Sequence, residues 1–197
     1  MPKIVDKEAK RNVILFSAIK VFAEKGVANT KIADIAKAAG IGKGTVYEYY
    51  AGKEAIFKDA VNLFMKGISE SIESSLLEND DPREKLRCIV NKSVEGFLAN
   101  AEYLQVTLDF WAIGLRGEQI KQWKDTYLFF IQVISTVIEE GIESGIFRSV
   151  DSLALASGLI GMLDGILFQM IIFGDEFPLR HNIEAIMDHF LKGLAVE

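Results

Sequence analysis

Residues 30–53, TKIADIAKAAGIGKGTVYEYYAGK, constrain this chain most, because they read as two short helices joined by a glycine-containing turn. Thr30 is suited to cap the first helix, its hydroxyl accepting from an amide of the opening turn. Ile32, Ile35, Ala36 and Ala39 follow at helical spacing, and Gly40 ends the run where a left-handed residue is needed. Ile41 turns back toward the core, Gly42 keeps the turn tight, and Lys43 to Tyr50 forms the second helix. Short helix, tight turn and second helix make the helix-turn-helix pattern, whose second helix enters the major groove of DNA.

The outward face of that second helix carries the chemistry. Lys43, Gly44 and Thr45 occupy its N-terminal end, where a recognition helix meets base edges, and Tyr47 and Tyr49 extend sideways. A lysine reaches guanine O6 and N7, and a threonine suits thymine or several polar edges. Gly44 lets the backbone approach the groove closely. Tyrosine hydroxyls, Lys53 and helix N-terminal amides are phosphate ligands. Val46 and Tyr50 face inward by spacing. Two short amphipathic helices with a glycine turn also occur in helical proteins that never meet DNA, so the pattern alone leaves both readings open.

The residues at fixed gaps narrow the choice. Ile14-Leu15, Ala18, Phe22, Gly26, Thr30, Ile35-Ala36, Ala39-Gly40-Ile41, Lys43 to Tyr47, Tyr49-Tyr50 and Lys53 resemble the N-terminal signature of tetracycline-repressor-like (TetR-family) regulators. The resemblance covers roughly residues 10–57; beyond it the chain is similar to the family only in length and helical character. It implies an all-α fold, with an N-terminal three-helix helix-turn-helix DNA-binding domain (1–52) and a C-terminal helical ligand-binding and dimerisation domain (53–197). The expected DNA-binding set is Thr30, Lys43, Gly44, Thr45, Tyr47, Tyr49 and Lys53. Two departures stand out. Tyr49 replaces a histidine common in the family and keeps a phosphate-reaching donor. Glu48 is acidic on a DNA-facing helix, so it either accepts from a cytosine amine or points away from the groove.

Charge is unevenly spread. Residues 1–55 hold ten Lys/Arg against six Asp/Glu, a net of +4, whereas the 197-residue chain totals −6. The remainder therefore carries −10. The acidic total argues against a nucleic-acid partner, but phosphate attraction depends on the local face, and the basic head restores that partner. Cys88, the single cysteine, permits no intrachain disulfide and lies among Leu86, Ile89 and Val90, where it reads as a small buried hydrophobe before a redox sensor. The N-terminus has no signal-peptide pattern, so the expected location is the cytoplasm.

Along the chain, a helix from Asp6 to Lys25 ends at Gly26, and a longer one runs from Lys53 to about Leu77. Asn79-Asp80-Asp81-Pro82 caps and opens the next, which continues to about Asn100. A short helix over Ala101–Leu115, a long one over Glu118–Ser144 closed by Gly145, the apolar run Leu153–Phe173 and a last helix to Leu194 follow. The apolar run is long enough to span a bilayer, but Asp164 at its middle is expensive in lipid. A soluble helix apolar all round is covered on two sides. Gly158, Gly161 and Gly165 share one face and let another backbone come close. As the family resemblance implies, this helix and the last, with Ile186 and Phe190, are expected to pair with their copies in a homodimer.

Residues 97–173 are rich in aromatics and methionine, which makes an apolar cavity for a small hydrophobic effector the expectation; core packing is the alternative for each residue. The candidates are Phe97, Tyr103, Thr107, Phe110, Trp111, Trp123, Tyr127, Phe130, Met162 and Phe168. Asp109, Gln132, Asp164 and Gln169 are expected to orient the ligand or to bond the backbone. The opposing class is a helical-bundle enzyme or metal protein. His181 and His189, with Asp175, Glu176, Glu184 and Asp188, form no paired Glu-x-x-His pattern, and no phosphate loop or nucleophile elbow appears. No catalytic residue, metal or cofactor is expected.

Overall fold

The first helix, α1 (Lys7–Lys25), forms because Ile14, Leu15, Ala18, Ile19 and Phe22 recur at helical spacing and are all buried. Gly26 stops it at φ +72°, its amide bonded back to the Phe22 carbonyl at 2.8 Å. The structure is a computed structural model that describes residues 7–99, 109 and 119–196. The expected helix over 101–115 lies outside those residues.

Next come α2 (Ile32–Ala38), α3 (Lys43–Tyr49) and α4 (Lys53–Leu76). Gly40, at φ +64°, makes the turn between α2 and α3. Ile32, Ile35 and Ala36 of α2 and Val46 of α3 are buried, as are Tyr50, Ile56, Phe57, Ala60 and Phe64. The Phe22 and Phe57 rings meet edge to face at 5.7 Å, tying α1 to α4. Three short elements thus share one core with the start of a long helix.

Pro82 opens α5 (Pro82–Ala99), and the Asp81 carboxylate accepts from the Arg83 amide at 2.8 Å. Then follow α6 (Gln119–Glu143), α7 (Ser152–Phe173), a 3-10 turn at Gly174–Glu176 and α8 (Leu179–Leu194). Asp151 caps α7 by accepting from the Ala154 amide at 2.9 Å. Between α6 and α7, Phe147 is buried against α6, and a Cβ at Gly141 would run into its ring. Beside it the chain end is clasped. Phe147 bridges to Ala195, and the Arg148 amide donates to the Leu194 carbonyl at 2.9 Å.

Packing divides the chain into two compact units: residues 1–69 with 96–117, and residues 70–95 with 118–197. In the second, α7 packs along α6, and α5 is tied to its neighbours by Lys85–Glu140 and Arg87–Asp188, each at 2.6 Å. Among the described residues, α7 is the one helix long and apolar enough to cross a membrane. Ala156, Leu159, Leu163, Ile166 and Leu167 are buried within the unit, so one face of α7 is core helix.

Candidate functional site

The first unit presents α3 to solvent. Lys43, Gly44, Tyr47 and Glu48 are exposed, Thr45 and Tyr49 are half-buried, and Val46 beneath them is fully buried. The Lys43 ammonium lies 5.8 Å from the Tyr47 ring centroid, a one-turn cation–π pair on the outer face. A Cβ at Gly44 would meet nothing within 4 Å. The fold itself therefore has no need of a glycine there.

Beside α3, two adjoining hollows of about 420 and 580 Å³ are walled by Lys7, Lys10 and Arg11 of α1 and by Thr45, Glu48 and Tyr49 of α3. Glu48 thus faces a groove whose opposite wall carries Lys7, Lys10 and Arg11 along with one acid, Glu8. Arg11 is held in place: its Nε donates to Asp59 of α4 at 3.2 Å, and its guanidinium lies 4.7 Å over the Tyr50 ring. Burial pushes the Tyr50 phenol above its ordinary value. Arg11, Tyr50 and Asp59 join α1 to α4 at the end of α3, a cluster that sequence periodicity gave no sign of.

Two expected DNA-contacting residues bond to the backbone of the α1–α2 loop. Thr30 is not the cap of α2; it is 2% exposed, and its hydroxyl donates backward to the Gly26 carbonyl at 2.8 Å. The capping position is Lys31, whose amide is taken by the Asp34 carboxylate at 3.0 Å. Lys25 at 3.0 Å from that carboxylate, and then the Lys31 amide, hold Asp34 below the usual carboxylate range. Lys53 is engaged within its own unit. Its ammonium donates to the carbonyls of Val27, Ala28 and Thr30 at 2.8, 2.8 and 3.1 Å, which uses all three of its N–H groups on the loop after α1.

In the second unit, Tyr127 of α6 and Asp164 of α7 meet: the phenol donates to the carboxylate at 2.7 Å. Burial raises both groups above their ordinary values. Phe130 and Met162 are half-buried, and the Phe130 ring touches Phe129 at 5.4 Å. Phe168, expected to line a cavity, is 47% exposed and falls outward with the glycines, whereas Leu163 and Leu167 point in. Gln132 and Gln169, expected among the buried polar groups, are exposed. Asp109 takes the backbone-bonding role, accepting from the Val27 amide at 2.7 Å. Phe97 packs edge to face on Phe64 at 5.0 Å. Tyr103, Thr107, Phe110 and Trp111 lie outside the described residues, and Trp123 is placed on α6. Cys88 is half-buried, less enclosed than its apolar neighbours suggested.

A second outward face runs along α7. Gly158 and Gly161 are exposed and Gly165 is half-buried; a Cβ at any of the three would meet nothing within 4 Å among the described residues. Ile172, 60% exposed, continues the stripe. On α8, Ile186 and Phe190 are half-buried beside the core row Leu179, Ile183, Met187 and Leu191. Among the described residues no three of His, Cys, Asp and Glu gather as metal ligands.

Comparison with known proteins fits this geometry. Residues 14–60 match the family described as bacterial regulatory proteins, tetR family, and residues 82–196 match the BetI-type transcriptional repressor C-terminal family. The HTH-type transcriptional regulator BetI of Yersinia pestis (strain Pestoides F) is 25% identical, covering 100% of this chain and 98% of its own. A putative transcriptional regulator from Saccharomonospora viridis, solved in complex with choline, superposes with a TM-score of 0.86 at 25% identity, over 96% of this chain and 99% of that one. The fatty acid degradation regulator FadR from Bacillus halodurans gives 0.80 at 26% identity, over 92% and 94%. This chain belongs to the tetR family of bacterial regulatory proteins, with a C-terminal region of the BetI-type repressors, and is a ligand-responsive transcriptional regulator and not an enzyme.

Proposed function

We propose that the chain works as a homodimer that grips a palindromic or near-palindromic operator, one α3 per half-site, and lets go when a small hydrophobic effector binds. The observation that carries the DNA part is the outer face of α3, with Lys43, Gly44 and Tyr47 exposed and Thr45 half-buried over a fully buried Val46, flanked by the Lys7 and Lys10 wall. On this reading Lys43 and Thr45 read base edges, while Tyr47, Tyr49 and the α1 lysines hold phosphates. The functional division is a DNA-binding head, residues 1–52, and an effector-binding and dimerising remainder.

The dimer reading rests on α7. Three glycines inside one helix each cost about 1 kcal/mol relative to alanine, and among the described residues nothing uses the space they leave. A second copy of α7, with Ile186 and Phe190 of α8, fills it.

For the effector, an apolar body matches the half-buried Tyr127, Phe130 and Met162. A second reading is favoured by one observation: a half-buried carboxylate, Asp164, already bonded to a phenol, suits a cationic head group such as that of choline, the ligand of the Saccharomonospora viridis relative. Linkage makes either account quantitative, because effector and operator must lower each other's affinity by the same factor. The test is selection of bound duplexes from a random pool, followed by displacement with a long-chain acyl-CoA and with choline. A twofold-symmetric site released by one of them supports the reading, and no enriched site defeats it.

A further inference from the structure

The loop joining α1 to α2 is held from two sides by opposite charges. On one side Lys53, the first residue of α4, gives its three N–H groups to the carbonyls of Val27, Ala28 and Thr30. Thr30 closes the loop internally through its bond to the Gly26 carbonyl. On the other side the Asp109 carboxylate, 82 residues along the chain, accepts from the Val27 amide at 2.7 Å. Gly26 makes this approach feasible: at φ +72° it carries no side chain, and a Cβ there would lie 3.3 Å from Asp109 Oδ2.

That loop is the first rigid step toward the recognition helix, because it leads into α2 and α2 packs directly on α3. Within the same unit the end of α5 packs on α4. Phe97 packs on Phe64 of α4, and Gly96 lies so close to Ile68 that a Cβ would come within 2.9 Å. The same compact unit thus holds the helix-turn-helix and residues 96–117.

We propose that Asp109 is a positioning residue for operator binding: by pinning the Val27 amide it fixes the loop that launches α2, and so the orientation of α3, without touching DNA. This deepens the repressor reading above and rests on it. A carboxylate on a neutral amide is a charge-assisted bond and stiffer than a neutral one. Released, the loop keeps Lys53 and its internal bonds but loses its hold on the Asp109 side, so α2–α3 spread over a wider set of orientations of which only a fraction match the groove; apparent affinity falls by that fraction.

The test uses the full chain and the duplex that the wild type selects from a random pool, with Asp109→Ala and Asp109→Asn. Asparagine keeps an acceptor oxygen but no charge, so it separates positioning from repulsion between an acid and DNA phosphates. The expected result is that Asp109→Ala speeds Val27 amide exchange and weakens binding about tenfold, within the usual range of coupling between sites. Asp109→Asn should stay within about twofold of wild type, and the salt slope should be unchanged in both because no phosphate contact is lost. Faster exchange with unaltered affinity makes the pin structural only and overturns the proposal. Tighter binding in both variants means charge repulsion and also overturns it. A wild type that selects no duplex defeats the repressor reading itself, whereas a selected duplex that Asp109→Ala binds normally defeats this proposal alone. Should Asp109→Ala fail to fold, a second alteration, Asp109→Ser, whose side chain ends one bond short of the carboxylate oxygens, should reproduce the loss.

Discussion

Tyr127 and Asp164 are partners across α6 and α7, the phenol oxygen 2.7 Å from the carboxylate oxygen, and burial holds the acid above its ordinary value near 3.8. A native state that keeps its proton more tightly than the unfolded chain loses stability as pH rises through the folded value. Asp164→Asn should therefore gain stability at neutral pH and gain nothing well below pH 3.8, where both states are protonated. Tyr127→Phe, which removes a donor from a half-buried carboxylate, should cost about 1–3 kcal/mol. Urea melts across pH check both, and a pH-independent difference for Asp164→Asn would contradict the burial argument.

Gly44 offers a sharper separation of fold from function. Its position is helical and its surroundings are empty, so Gly44→Ala should stabilise the protein by about 0.5–1 kcal/mol. The same methyl would stand between α3 and a base edge and should weaken operator binding. Thermal melts and fluorescence anisotropy measure the two effects; equal affinity would place Gly44 away from the groove.

Lys53 and the α1 lysines should behave oppositely. Lys53→Ala removes three hydrogen bonds to loop carbonyls and should destabilise the head by about 2–3 kcal/mol, with little change in the salt dependence of binding. Lys10→Ala should leave stability alone and flatten the slope of log affinity against log salt by about 1. Exchanged outcomes would return Lys53 to the DNA interface.

The glycine stripe on α7 predicts an assembly effect. Gly161 is exposed and a Cβ there would meet nothing within 4 Å among the described residues, so in Gly161→Leu the fold should survive with its helical content intact. The bulky side chain should nevertheless shift light scattering at micromolar concentration from dimer toward monomer. An undisturbed dimer would move the interface elsewhere.

Local rules made the helices legible. Gly26, Gly40 and Gly145 stop them with positive φ, and Pro82 starts one. The face of α3 was equally clear, since Val46 and Tyr50 are buried as their spacing requires. Thr30 misled because a threonine between helices can bond forward as a cap or backward to a carbonyl, and nothing within the segment decides between them. The loop-binding role of Lys53 was hidden because the three carbonyls that converge on it come from more than twenty residues earlier. Gln132 and Gln169 were misplaced because periodicity does not say which faces of α6 and α7 are covered within one protomer. The Asp109 pin spans 82 residues and leaves no local trace.

The central claim, that a cationic head grips duplex DNA through α3, is tested most directly by the salt dependence of binding. A selected duplex titrated by anisotropy over a range of ionic strength should give a straight negative slope of log affinity against log salt, steep for wild type and with its sequence preference relaxed in Lys43→Ala. Failure to bind any double-stranded oligonucleotide at low ionic strength, or a Lys43→Ala protein that discriminates sequences as well as wild type, would contradict it.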